Sequence, residues 1–173
     1  MFISDDKMSL RIAEPEDVDL IYEWENDRRI WRVSETSTPL SRFQIEQFLM
    51  SNCDLVTNRQ LRLMILHETT DRPVGCVDLF EYDPVHGRAA VGILIDESYR
   101  QQGYATQAIK LLMDYCFNNV MMHQLYCLVD EKNRESQHLF QRLGFQLSGR
   151  RKEWIKTPDG YIDVLFFQYI NTL

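Results

Sequence analysis

The 173-residue sequence is short of several things, and each shortage excludes something. It has 4 cysteines, at 53, 76, 116 and 127, with no C-x-x-C pair or other paired spacing. Three sit in apolar runs and read as reduced core residues of a cytoplasmic protein rather than a disulfide framework. The four histidines, His67, His86, His123 and His138, lack metal-ligand spacing, so no metal is expected. No apolar run approaches the roughly 20 residues that cross a bilayer, and MFISDDKMSL lacks a signal-peptide pattern. Positive charge is scarce: 19 Lys and Arg stand against 26 Asp and Glu, a net charge of −7. That balance argues against a nucleic-acid partner held by phosphate neutralisation and is compatible with a cationic small molecule. Internal repeats, low-complexity stretches, a G-x-G-x-x-G fingerprint and a G-x-S-x-G elbow are all missing.

What is present is one α/β domain spanning the chain, with 45% hydrophobic residues for a sizeable core. Met8 to Ala13 reads as a strand. Pro15 then opens a helix with Val18, Ile21, Tyr22 and Trp24 on its buried face. Arg28 to Arg32 reads as a short turn and Ser34 to Pro39 as a loop. Ser41 to Gln44 matches a capping box for a helix that ends near Cys53. Strands follow at Leu61–His67 and Val74–Tyr82, then a turn at Asp83 to Gly87 and a strand over Val91–Ile95. Gln124–Val129 reads as a central strand buried on both faces. A helix over Asn133–Leu143 is closed by Gly144. Phe145–Ile155 and Tyr161–Ile170 form a hairpin around Asp159-Gly160.

The most informative stretch is VGILIDESYRQQGYATQAIKLL, Val91 to Leu112. An apolar strand runs through a polar turn into a helix whose Ala105, Ala108, Ile109, Leu112 and Cys116 share one face. Such a turn aims backbone N–H groups outward with the positive helix end behind them, which suits a phosphate. Gly103 frees the backbone and Arg100 adds a cation. Arg100-Gln101-Gln102-Gly103-Tyr104-Ala105 resembles the Arg/Gln-x-x-Gly-x-Gly/Ala signature of the GNAT superfamily of acetyl-coenzyme A-dependent N-acetyltransferases. Leu125–Asn133, Ser136, Phe140 and Leu143-Gly144-Phe145 resemble that family's next strand and helix. The likeness is specific from about Arg88 to Gly149. Within the family it points to the branch holding spermidine and diamine acetyltransferases and ribosomal-protein N-terminal acetyltransferases.

The resemblance implies a single-domain GNAT-like fold, a mixed and mostly antiparallel sheet flanked by helices. It implies acetyl-coenzyme A as cosubstrate, its pyrophosphate at Gln101, Gln102, Gly103, Tyr104 and Ala105 beside Arg100. The pantetheine arm would run along the backbone of Ile93, Leu94 and Ile95, with Asn133, Ser136 and Phe140 on the other wall. Asn133 also reads as a plain helix cap. Relatives are often dimers or larger, so a homo-oligomer is compatible. The family's usual Glu and Tyr positions hold Ala90 and Phe140 here, and neither can move a proton. Glu81 is the first candidate base and Tyr126 its companion. Asp78, Glu153 or a water relay stay open as alternatives. The expected reaction is acetyl transfer to a primary amine, first a small diamine or polyamine. A protein N-terminus, or a non-catalytic coenzyme A sensor, is the alternative.

Overall fold

The computed structural model describes residues 3–4, 8–27, 38–51 and 55–172. Trp31, Cys53, the turn expected at Arg28 to Arg32 and most of the Ser34 to Pro39 loop lie outside the described residues. Among the described residues, eight strands form one sheet in the order β1-β2-β3-β4-β5-β6-β8-β7. They are β1 (Ile3–Ser4), β2 (Met8–Ile12), β3 (Leu61–His67), β4 (Pro73–Asp83), β5 (Arg88–Ile95), β6 (Gln124–Asp130), β7 (Gln146–Thr157) and β8 (Gly160–Ile170). The helices are α1 (Val18–Glu25), α2 (Arg42–Ser51), α3 (Leu55–Asn58), α4 (Tyr104–Asp114) and α5 (Arg134–Arg142). The two-residue β1 and one-turn α3 carry too little periodicity to be read from sequence.

Two apolar cores sit on opposite faces of the sheet. The larger holds Ala108, Ile109 and Leu112 of α4 and Leu139 and Phe140 of α5 against Val77, Val91, Leu125 and Phe167. The smaller holds Ile21 and Trp24 of α1 and Ile45 and Leu49 of α2 against Met64 and Cys76. Local signals work as the sequence suggests. Ser41 Oγ accepts from the Gln44 N–H at 3.2 Å while Gln44 Oε1 accepts from the Ser41 N–H at 2.8 Å. Gly144 closes α5 at φ +91°.

One pairing positions everything else. β5 and β6 are parallel and matched only over Arg88↔Gln124, Ala89↔Leu125 and Ala90↔Tyr126. Beyond that row β5 keeps its antiparallel pairing to β4 and β6 its pairing to β8. The two strands therefore part, and a wedge opens at the middle of the sheet. This corrects the expectation that Gln124–Val129 is buried on both faces. Leu125, Cys127 and Val129 are buried, but Gln124, Tyr126 and Leu128 are half-exposed, because their face looks into open cavities. Trp154 is exposed on β7 beneath the Arg151 guanidinium.

Candidate active site

The wedge leads into a cleft of about 1550 Å³. One wall is β5 and the turn that follows it, with Ile93, Leu94, Ile95, Arg100, Gln101, Gly103, Tyr104 and Ala105 all lining the space. Ile93 and Ile95 pack into the larger core and Leu94 against the smaller. The backbone edge toward β6 has no strand beside it there among the described residues. An extended ligand arm can use that edge as an added strand would.

The turn is built for an anion. Asp96 Oδ1 accepts from the Ser98 N–H at 2.9 Å and starts a 3₁₀ turn over Glu97–Tyr99. Gln101 and Gly103 both take left-handed backbone, φ +59° and +92°, and Gly103 is the N-cap of α4. The resulting concavity ends at the first N–H groups of an eleven-residue helix. A Cβ at Gly103 would meet nothing within 4 Å, so the glycine is required by its φ rather than by crowding within the chain. Arg100 is exposed, and its Nε donates to the Ile95 carbonyl at 3.1 Å, which lays the guanidinium back along the strand end. Gln102 is turned away from the cleft, its amide donating to the Ser98 carbonyl at 3.2 Å.

The facing wall is the end of β6 and α5. Asn133 and Ser136 both line it. Asn133 is also the N-cap of α5, Oδ1 accepting from the Ser136 N–H at 3.1 Å, so its helix-cap reading holds. Arg134, His138 and Arg142, spaced four apart, share a helical stripe toward the cleft with Lys132 nearby. Phe140 does not line the cleft. It is buried edge-to-face against Phe145, a core role in place of the expected cofactor contact.

Deeper in the cleft lies a charged cluster that no contiguous stretch of sequence announces. The Arg62 guanidinium donates to both carboxylate oxygens of Asp78, each at 2.8 Å, and to Glu25 at 2.8 Å. Its side chain is 14% exposed. Burial works against its charge, yet the surrounding carboxylates, Asp78 first, raise its pKa well above the ordinary value. Asp27 lines the same end. Cys76 adjoins it, and burial pushes its thiol well above the ordinary range, so it is no nucleophile. Burial disfavours ionisation of Cys127 in the same way.

Glu81 and Tyr126 are brought together, but beside this cleft rather than in it. They line a second cavity of about 420 Å³, where the Tyr126 hydroxyl donates to Glu81 Oε2. Glu153 lies on exposed β7 and lines neither cavity, while Asp78 lines the main cleft. Sequence reasoning missed Glu25, Asp27 and Arg62. The available signal was that Arg62 and Asp78 interrupt the apolar runs of β3 and β4.

Residues 7–146 match the acetyltransferase (GNAT) domain family. The chain belongs to this family and is an acyltransferase. Spermidine N(1)-acetyltransferase of Escherichia coli strain K12 is 30% identical over 142 residues, 82% of this chain and 74% of that protein. Ribosomal-protein-serine acetyltransferase of the same strain is 28% identical over 102 residues, 58% of this chain and 56% of its own. In fold, the chain matches spermidine N-acetyltransferase from Vibrio cholerae, solved in complex with coenzyme A and spermine. The TM-score is 0.86 at 24% identity, covering 96% of both chains. Another structure of that V. cholerae protein, with TM-score 0.82 and 24% identity over 96% and 95%, is dodecameric. Among the described residues no helix is long and apolar enough to cross a membrane, and no group of His, Cys, Asp and Glu is gathered for a metal.

Proposed function

We propose that this GNAT acyltransferase moves an acetyl group from acetyl-coenzyme A to a primary amine of a small diamine or polyamine such as spermidine. The carrying observation is the charge division of the cleft. Among the described residues, its deep end holds Asp78 and Glu25 on the guanidinium of Arg62, with Asp27 in the same lining. A lining rich in carboxylates suits a cationic acceptor. The mouth instead offers Arg100, Lys132, Arg134 and Arg142 with the backbone turn at Gln101–Ala105, a setting for the cosubstrate's phosphates. The thioester would lie between them, its carbonyl polarised by β5 backbone N–H groups, and the amine would attack it directly. The E. coli spermidine acetyltransferase likeness supports the same acceptor class. The ribosomal-protein-serine acetyltransferase likeness favours a protein N-terminus as the second reading.

Homo-oligomerisation and a cytoplasmic setting belong to this reading. The dodecameric V. cholerae protein supports the first, as do Leu147, Trp154, Tyr161 and Ile170, exposed on β7 and β8. The buried free thiols of Cys76, Cys116 and Cys127 are in keeping with the second.

The test is coenzyme A thiol release from acetyl-coenzyme A with spermidine, spermine, putrescine and a ribosomal N-terminal peptide. Polyamine turnover is expected. Asp78→Asn should raise the polyamine KM by about tenfold to a hundredfold, since a charged hydrogen bond contributes about 1.5–3 kcal/mol. Its coenzyme A affinity should stay unchanged. Turnover with the peptide alone would replace the polyamine reading.

A further inference from the structure

Acetyl transfer from a thioester to an ammonium group must dispose of two protons, one delivered to the departing sulfur and one released. Two of the carboxylates that line the cleft are already engaged by a cation. Asp78 is clasped at both oxygens by Arg62, and Glu25 is held by the same guanidinium. Ala90 and Phe140 have no proton to give or take.

Strand register shows what else reaches the reaction face. Phe80 pairs with Ala90, Ala90 with Tyr126, and Tyr126 with Gln168, so these residues form one row across the sheet. It is the last row before β5 and β6 part. One step further along the same face stand Asp78, Gly92 and Leu128, all lining the cleft. Tyr126 therefore borders the apex of the wedge on the face carrying Asp78. Glu81 would ordinarily point to the other face, since it follows Phe80. A β-bulge between Phe80 and Asp83 changes this: Glu81 adopts φ +52°, and its carboxylate accepts the Tyr126 hydroxyl. Left-handed backbone at a non-glycine residue is costly, and bulges that re-aim a side chain are found beside active sites.

Resting on the acetyltransferase reading above, we infer that the Tyr126–Glu81 pair is the proton relay of this enzyme. An ammonium proton passes through a bridging water at the apex of the wedge to Tyr126 Oη as the Tyr126 proton moves to Glu81 Oε2, and exposed Glu81 releases it to solvent. The freed nitrogen lone pair forms the C–N bond at the thioester carbon. As the C–S bond breaks, sulfur leaves with its electron pair. The second nitrogen proton enters the same relay, and Tyr126 returns one proton to the thiolate. The products are the acetamide, coenzyme A thiol and one released proton. Burial, then the bond to Glu81, raises the Tyr126 pKa above its ordinary value, which keeps the phenol protonated between turnovers. Arg59, Asp83, Arg88 and Arg151 face the same cavity. Arg88 is paired with Asp83 at 3.3 Å, and Arg151 stacks over Trp154. Arg88 and Arg151 act against the rise in Tyr126 without cancelling it.

The test is steady-state kinetics of Tyr126→Phe, Glu81→Gln and the double variant with spermidine, alongside coenzyme A binding by calorimetry. Tyr126→Phe keeps the ring against Phe166, at 5.3 Å between centroids, so the fold is retained. Each single variant should lose about 10²–10⁴-fold in kcat. The double variant should be no worse than either, as expected of residues acting as a unit. Coenzyme A affinity should be unchanged. The rise of kcat/KM should move to higher pH, because only amine already deprotonated in solution would react. Wild-type kcat and pH profile in Tyr126→Phe, with normal turnover in the parent, would overturn the relay alone. No parent turnover with any amine would overturn the acetyl-transfer reading and the relay with it.

Discussion

The two ends of the cleft are made of different material. Along one wall of the mouth the features are main chain: the edge of β5 beyond Ala90, with no strand beside it among the described residues, the left-handed Gln101 and Gly103, and the start of α4. At the deep end they are side chain, with Glu25 from α1, Arg62 from β3 and Asp78 from β4 held in one ion-paired cluster. A main-chain site needs only that a strand, a turn and a helix follow one another, so about fifteen consecutive residues build it. A side-chain site needs three distant elements packed in register. The first kind suits a ligand part that never varies, such as a phosphate. The second can be retuned by one substitution, which suits the part of a reaction that distinguishes acceptors.

The largest effect that would sharpen this contrast comes from Arg62→Met. Removing the guanidinium leaves Glu25 and Asp78 half-buried without their shared cation. Breaking a buried pair from one side costs about 3–5 kcal/mol. Urea denaturation should show a loss of that size, with coenzyme A binding by the folded fraction little changed. Equal loss of coenzyme A affinity would show that the two ends are not independent. A smaller effect is expected at the mouth. Gly103→Ala must place a Cβ residue at φ +92°, at about 1–2 kcal/mol. Calorimetry should show coenzyme A binding weakened by about tenfold, while the polyamine KM hardly moves.

The smallest effect concerns the joint between the two ends. Trp24 of α1 donates its indole N–H to Asp96 Oδ2 at 3.1 Å, tying the helix that carries Glu25 to the turn that carries Gln101. Burial would raise the Asp96 pKa, but the Ser98 N–H and the Trp24 indole outweigh it and hold the carboxyl below its usual value. A carboxyl depressed in the folded state stabilises the fold above its unfolded pKa of about 4, and that contribution is lost as pH falls through the lower folded value. Thermal unfolding midpoints of the parent and Asp96→Asn should therefore differ near neutrality, by on the order of 1 kcal/mol in stability. They should converge below about pH 4. A constant gap at all pH values would show that the Asp96 charge plays no part in the joint.

Much of this molecule was legible before any coordinates. The order of strands and helices followed from hydrophobic period, the Ser41–Gln44 cap, Gly144 and the Asp159-Gly160 turn, because each is decided within a few residues. The turn before α4 was legible for the same reason: a left-handed glycine between a strand and a helix is a local conformational demand. Phe140 marks the limit. Its spacing is right for the cleft wall, but a helix has two sides, and only packing against Phe145 decided which one it shows. Tertiary structure alone decided that Arg62, Glu25 and Asp78 meet, because electrostatic pairing across 37 and 16 positions leaves no periodic trace in the sequence. It also decided that Glu81 faces Tyr126. Strict alternation puts Glu81 on the far face of β4, and one extra residue in a bulge, set by pairing with β5, turns it over.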